Sequence, residues 1–262
     1  MFLAKEIVKN RIPNWLSLKK FMQGLHAAYA VVIFATTFIF FFPLLMLPVI
    51  FPRHFHLVGV LNRWWARIFL SASFIPYEND YRVKLDTSRQ YIFCPNHFSY
   101  LDIPSMGLNE VNSIFVGKSD MEKIPLFGFM YKKLHITVNR DSLKSRYSTF
   151  VKSCEAIDQG KNLTIFPEGG IITVNPPDMA RLKDGAFRTA IEKQIAIIPV
   201  TIPFNWIILP DSSFLPRRRK MKIIYHEPIE TKGLTISDID YLKKKTFEVI
   251  DSELKKQLNE HR

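Results

Sequence analysis

Two textures of hydrophobic patterning divide this chain. The first is continuous. From Ala27 to Phe51 the residues read AAYAVVIFATTFIFFFPLLMLPVIF, without one charge. A run of about 25 apolar residues is long enough to cross a hydrocarbon core. It is too long for a secretory signal, begins too late and has no small-residue cleavage site behind it. Pro43 and Pro48 predict a kink or break in its second half. Two arrangements are open: a tilted transmembrane helix, or a kinked helix that enters one leaflet and returns.

The next stretch, Leu57 to Phe74, mixes Arg63 and Arg67 with Trp64, Trp65, Ile68, Phe69 and Leu70. Rings at headgroup level beside guanidinium groups that reach phosphates describe an interfacial helix. The first 25 residues share this character, with Lys5, Lys9, Arg11, Lys19 and Lys20 among Phe2, Leu3, Ile7, Val8, Trp15 and Leu16. Positive charge therefore flanks the apolar run on both sides. The positive-inside rule marks no single crossing, and a monotopic helical hairpin is the expected form.

The second texture begins near Tyr81. Short apolar runs alternate with amphipathic stretches, which is the signature of an α/β domain. Strands are predicted at Tyr81–Leu85, Gln90–Cys94, Ser113–Gly117, His135–Asn139, Asn162–Phe166, Ile195–Ile202 and Met221–His226. Helices are predicted at Ser142–Asp158, Met179–Glu192 and Ile236–Leu258, the last with Ile239, Phe247, Ile250, Leu254 and Leu258 at helical spacing. Residues 1–76 thus read as membrane-associated helices and residues 77–262 as the α/β domain.

Charge sharpens the picture. The formal net charge is +12, which draws a protein to nucleic acid or to an anionic membrane. No basic recognition helix, zinc spacing or RNP-type strand is present, and the positive charge flanks apolar segments, so the membrane is the expected partner and nucleic acid is not. The share of aromatic residues, with 22 Phe many of which lie near the N-terminus, fits contact with lipid. Cys94 and Cys154 form neither a CxxC pair nor a metal spacing. A reducing, cytoplasm-facing catalytic domain is expected, at the inner or plasma membrane, and Cys94 reads as a buried strand thiol.

Three strand ends carry candidate chemistry. Asn96-His97-Phe98-Ser99-Tyr100-Leu101-Asp102 follows the strand Tyr91-Ile92-Phe93-Cys94, at the place where α/β folds bind ligands. At a helix start, a spacing of five can return Asp102 to the His97 ring. The carboxylate would fix the tautomer, leaving the other nitrogen to take a proton from an alcohol. Taken alone, the same pattern is also met as a capping Asp beside a surface His. Ile165-Phe166-Pro167-Glu168-Gly169-Gly170 ends a second strand. Its glycines let backbone N–H groups approach an anion, or make a plain turn. Downstream, Arg181, Lys183 and Gly185 open a predicted helix that suits a phosphate. A third stretch runs from Gly117-Lys118 through Ile124-Pro125-Leu126-Phe127-Gly128 to Val138-Asn139-Arg140-Asp141. Arg140 is there a phosphate clamp or the partner of Asp141. Ile197 to Ile202, with Pro199 inside it, reads as a buried core strand.

In this order and spacing the pieces resemble the 1-acylglycerol-3-phosphate acyltransferase family of the glycerolipid acyltransferase superfamily. The matching blocks are His97 to Asp102, Pro125-Leu126-Phe127-Gly128 with Arg140, Phe166-Pro167-Glu168-Gly169, and Ile198-Pro199-Val200, spanning residues 80–205. The resemblance implies a mixed sheet flanked by helices, with an N-terminal helical membrane-anchoring motif. It also implies direct acyl transfer from acyl-CoA or acyl-carrier protein to a lysophospholipid hydroxyl, giving phosphatidate. His97 is then the general base, Asp102 orients it, and Arg140 with the Glu168-Gly169 loop holds the glycerol phosphate; Lys118, Gly170, Arg181 and Lys183 are further candidates for substrate binding. No metal and no resident cofactor is implied. The chain departs from the family where Thr-Arg-Ser commonly follows F-P-E-G, because Gly170-Ile171-Ile172 stand there and the usual cation is missing. Either Arg181 or Lys183 supplies it, or the acceptor is another lysolipid such as a lyso-aminolipid. A thioester hydrolase, with His97 activating water, and a non-catalytic lipid-binding scaffold are the contrasting expectations.

Overall fold

A computed structural model describes residues 14–213 and 215–260. The basic, aromatic pattern expected over residues 1–13 lies outside them. The long apolar run forms one helix, α1 (Asn14–Ile50), about 55 Å long at 1.5 Å per residue. Of the kink or break expected at Pro43 and Pro48, the break does not occur: both prolines lie inside one continuous helix. Each removes one backbone hydrogen bond, but the surrounding turns are held by packing. Phe38, Phe41 and Leu45 are buried with Val58, Met130 and Leu134 in a cluster of their own. The chain then turns and α2 (Leu57–Ala72) runs back along α1. Trp65 Nε1 donates to Thr37 Oγ1 (3.0 Å), Tyr29 Oη to the Ala72 carbonyl (3.0 Å) and His26 Nε2 to the Ser73 carbonyl (2.8 Å). The result is a helical hairpin.

Seven strands follow: β1 (Tyr77–Tyr81), β2 (Tyr91–Pro95), β3 (Ser113–Lys118), β4 (Ile136–Val138), β5 (Asn162–Ile165), β6 (Ala196–Thr201) and β7 (Met221–Tyr225). They form one sheet in the order β1-β7-β6-β2-β5-β3-β4. Only the β6–β7 pair is antiparallel, so the sheet is mixed, as the resemblance implied. Alternation of side chains splits the core. Tyr91 and Phe93 face a layer with Leu70 and Met106, while Ile92 and Cys94 face one with Phe187 and Leu242. Each such fully buried side chain contributes about 1.5–3 kcal/mol. The helices of the domain are α3 (Asp102–Gly107), α4 (Phe127–Leu134), α5 (Leu143–Asp158), α6 (Gly185–Lys193), the short α7 (Asn205–Ile208) and α8 (Ile239–Glu260).

Two element boundaries differ from the sequence pattern. The first strand is Tyr77–Tyr81 and not Tyr81–Leu85. It is an edge strand of half-buried polar residues, YENDY, fixed by parallel pairing to β7 and by the stack of Tyr81 on Tyr225 (4.2 Å between ring centroids). The helix expected from Met179 begins only at Gly185. Its would-be first turns are tied down elsewhere: Ala180 N–H donates to Glu168 Oε2 (2.9 Å) and Lys183 N–H to the Pro167 carbonyl (2.8 Å). Pro199 sits in the central strand β6 opposite Cys94. Its carbonyl accepts from His226 N–H on the β7 side (3.0 Å), just before the ladder with β7 begins at Val200, so the missing N–H of proline falls at the end of that ladder and not inside it.

Candidate active site

The five strands β6, β2, β5, β3 and β4 are mutually parallel, so their C-terminal ends share one edge of the sheet. His97 lies just past β2, Glu168 past β5, Arg140 past β4 and Asn205 past β6. Residues separated by up to about a hundred positions therefore meet there.

The loop from β2 to α3 closes on Asp102. Phe98 N–H and Ser99 N–H both donate to Asp102 Oδ2 (2.8 and 2.9 Å), and His97 Nδ1 donates to the same oxygen (3.0 Å). The spacing of five works because the two backbone donors wrap the loop around the carboxylate at the first turn of α3. Asp102 is fully buried. Since the carboxylate accepts, the imidazole proton sits on Nδ1 and Nε2 keeps its lone pair, and Nε2 has no protein partner among the described residues. The ring stacks on Phe166 (4.0 Å, 22° between planes), which fixes its plane. A held tautomer with a free second nitrogen is what a general base for an alcohol requires.

Glu168 is also fully buried, and it ties two strand ends together. Its Oε1 accepts from His97 N–H (2.7 Å), and its Oε2 accepts from Ala180 N–H (2.9 Å) and Thr173 Oγ1 (3.1 Å). Burial raises the Glu168 carboxyl above the ordinary glutamate range, and the three donors work against that rise. The role is thus to hold the backbone under His97. Gly169 takes φ +85°, a left-handed turn that glycine adopts without steric cost. Gly170 leaves room for Arg140: a Cβ at position 170 would lie 3.1 Å from Arg140 Nη1. The guanidinium fills the place of the absent side chain. Burial lowers the Arg140 guanidinium from its usual value, yet arginine remains a cation. It is half-buried and makes no ion pair, with Asp141 or otherwise, among the described residues.

These groups open into a cleft of about 820 Å³ that Arg140, Glu168, Gly169, Arg181 and Lys183 line together. Lys118 does not join them. It is the exposed last residue of β3, paired with Asp120, whose carboxyl the two neighbouring lysines, Lys118 and Lys123, hold down to about 2. A second, apolar cavity of about 450 Å³ lies between the helical hairpin and the domain, lined by Phe34, Trp65, Tyr100, Leu101, Phe127 and Met130 among others. Tyr100 and Leu101 belong to the His97 loop, so this cavity borders the catalytic candidate.

Gly128 in the second block has a steric reason. A Cβ there would overlap the backbone of Glu122. Gly128→Ala must push α4 away from the turn before it, and a loss of about 1–3 kcal/mol is expected, read as a lower midpoint in urea unfolding.

Asn205 escaped the sequence reading. It is fully buried and donates from Nδ2 to Asp102 Oδ1 (2.9 Å) and Ser105 Oγ (2.8 Å). The one signal was a polar residue inside the apolar run Ile202-Pro203-Phe204-Asn205-Trp206-Ile207-Ile208. Asn96 was named only as the start of the His97 block; its side chain pairs with the Ile202 N–H (2.7 Å) and carbonyl (3.1 Å), clamping β2 to the end of β6. Asn205→Ala removes a donor from the carboxylate that holds His97. It is expected to lower kcat about tenfold, with both KM values within twofold, in steady-state assays.

A family model described as Acyltransferase matches residues 77–203. The lyso-ornithine lipid O-acyltransferase of Pseudomonas aeruginosa is 30% identical over 197 residues, which cover 68% of this chain and 73% of that protein. The 1-acyl-sn-glycerol-3-phosphate acyltransferase of Haemophilus influenzae is 28% identical over 150 residues, or 55% and 60% of the two chains. The chloroplastic enzyme LPAT1 of Arabidopsis thaliana is 22% identical over 173 residues; the match covers 63% of this chain and 47% of that one. The crystal structure of PlsC from Thermotoga maritima has the same fold, with a TM-score of 0.76 at 20% identity, covering 91% of this chain and 97% of that one. With the order of its blocks and these relatives together, the chain belongs to the acyltransferase superfamily and is an O-acyltransferase.

Proposed function

We propose that this enzyme moves a fatty acyl group from a thioester to the free hydroxyl of 1-acylglycerol-3-phosphate at a membrane surface. The observation that carries this is His97: Nδ1 is held by a buried carboxylate and Nε2 is left free beside a cationic cleft. In this reading His97 Nε2 takes the proton of the acceptor hydroxyl as its oxygen attacks the thioester carbonyl. The C–O bond forms, the C–S bond breaks, and the thiolate leaves with the proton returned by the imidazolium. Asp102 stabilises the imidazolium and Asn205 holds Asp102. Arg140 and Lys183, which lie against the two glycines of the loop, take the acceptor phosphate. The apolar cavity beside Tyr100 and Leu101 suits an acyl chain, at a volume ordinary for small-ligand sites. Residues 17–50 of α1 are the one stretch among those described that is long and apolar enough to cross a membrane. Phe21, Val31, Ile39, Phe40 and Ile50 lie exposed along it. An apolar surface of that extent calls for lipid, with the catalytic domain on the cytoplasmic side.

A lyso-ornithine lipid is the second reading, favoured by the Pseudomonas aeruginosa relative and by Gly170-Ile171 in the loop. The cleft chemistry weighs against it. The cleft's cations can take either a phosphate or the ornithine carboxylate, but the ornithine ammonium also needs an acceptor, and both acids that line the cleft are engaged, Glu168 by its three donors and Asp184 by Lys243. An acceptor panel decides between them. Lysophosphatidate is expected to be acylated and lyso-ornithine lipid not; the reverse preference overturns the assignment of acceptor.

A further inference from the structure

The apolar cavity between the hairpin and the domain carries two polar atoms in its wall that the protein itself does not use. Most of its lining is hydrocarbon, from side chains such as Phe34, Phe69, Phe115 and Met130. Tyr131 and His135, one helical turn apart along α4 and its C-terminal cap, line it too. Their ring centroids are 5.1 Å apart.

His135 Nδ1 accepts from Phe115 N–H (3.2 Å), so the ring proton sits on Nε2. No described residue accepts that proton. Burial pushes the imidazole down to about 3, so it is neutral at physiological pH. Tyr131 is 7% exposed, its ring is stacked on Phe127 (5.7 Å between centroids), and its hydroxyl occupies the place a Cβ would take at Gly117. That hydroxyl has no hydrogen-bond partner among the described residues. Burial pushes the phenol up to about 12, so it stays a donor. Neither atom is sealed inside protein in the way that Ser73 Oγ and Tyr225 Oη are.

A donor without a partner in apolar surroundings costs about 1–3 kcal/mol. Phenylalanine or leucine would line the cavity without that cost. Two such donors side by side point to an acceptor that the occupant brings. Both donors are neutral, and the walls around His135 are apolar, so the acceptor is an uncharged oxygen; a carboxylate there would be desolvated without a countercharge. Gly117 is the last residue but one of β3, at the edge of the sheet that holds His97, and Phe115 lies about 7 Å deeper along the strand. Tyr100 and Leu101 of the His97 loop line the same cavity. The oxygen therefore lies within a few bonds of the reacting carbon.

We propose that this cavity selects a lipid chain that carries an uncharged oxygen near its head, held by the Tyr131 hydroxyl and by His135 Nε2–H. The oxygen is the ester carbonyl of the acceptor's own chain or a hydroxyl near the head of the donor's chain. The proposal rests on the acyl-transfer reading for placing a lipid chain here, while its test reads binding and does not need turnover.

The test is titration of the purified, detergent-solubilised full chain with two matched pairs of lipids, followed by tryptophan fluorescence, because Trp65 stands in the cavity wall. One pair is 1-palmitoyl and 1-O-hexadecyl lysophosphatidate, which differ by the carbonyl. The other is 3-hydroxypalmitoyl-CoA and palmitoyl-CoA, which differ by the hydroxyl. A preference of about tenfold for the oxygen-bearing member is expected in one pair, and that pair identifies the source of the oxygen. Tyr131→Phe removes the phenol oxygen alone. His135→Asn keeps an acceptor for Phe115 N–H and lacks the outer donor. The double variant is expected to lose the preference, with affinity for the plain member of the pair within about twofold of wild type, which a general loss of packing would not spare. Equal affinity within both pairs in the wild type overturns the proposal, as does a preference that the double variant retains. Selective binding without acyl transfer from or to any of the four lipids would count against the acyl-transfer reading and leave this site standing.

Discussion

His97→Ala is expected to cut acyl transfer by about 10³-fold or more, while the protein keeps its fold and its association with vesicles. The imidazole contributes little to packing that phenylalanine neighbours do not already supply. Its ring rests on Phe166, and its hydrogen bond is to a carboxylate with three other donors. Asp102→Ala should lose a similar factor in rate but also lose stability. It leaves the Phe98 and Ser99 N–H groups unpaired in the interior, each at about 1–3 kcal/mol, and leaves the Asn205 amide with Ser105 Oγ as its remaining partner. Circular dichroism and the urea midpoint separate the two: His97→Ala should match wild type in both, and Asp102→Ala should fall in midpoint. If His97→Ala unfolds as readily as Asp102→Ala, the imidazole is a structural group and not a free base.

Glu168→Ala is the second large effect. No other described side chain accepts hydrogen bonds from both the His97 backbone and the loop that leads to α6. Removing it strands the His97 and Ala180 N–H groups and the Thr173 hydroxyl, at an expected cost of about 3 kcal/mol or more in stability. The rate should fall about 10²-fold, because the His97 backbone loses its anchor. Glu168→Gln fills the same volume but turns an NH₂ group towards backbone donors, so it is expected to recover little. Measured together, kcat and the unfolding midpoint should fall in both variants. A Glu168→Gln enzyme with full rate would show that the carboxylate is dispensable and that the loop holds itself.

Much of this was legible in the residues. A strand end and a spacing of five allowed the pairing of His97 with Asp102 as well as a capping Asp beside a surface His, the family resemblance favoured the pairing, and the structure makes it at 3.0 Å. The meeting of Arg140, Glu168, Gly169, Arg181 and Lys183 in one cleft followed from strand ends and family order. What could not be read was anything set by contacts across the sheet. Asn205 reaches Asp102 from 103 positions away, and nothing local marks it. The edge strand Tyr77–Tyr81 carries no alternation, since its register comes from β7. The helix after Met179 starts late because its amides are spent on Glu168 and Pro167, a demand invisible in helix propensity. Proline content suggested a kinked or broken α1, and the helix stays continuous where Phe38, Phe41 and Leu45 pack. Lys118 has the right type and lies near the right strand end, but Asp120 two residues on takes it.

The most direct test of the central claim is acyl transfer by purified, detergent-solubilised protein supplied with labelled acyl-CoA and lysophosphatidate, run beside His97→Ala. Labelled phosphatidate from the wild type, strictly dependent on added acceptor and absent from the variant, is the expected result. Equal product from both proteins, or loss of acyl-CoA to free acid without any acceptor, would contradict it.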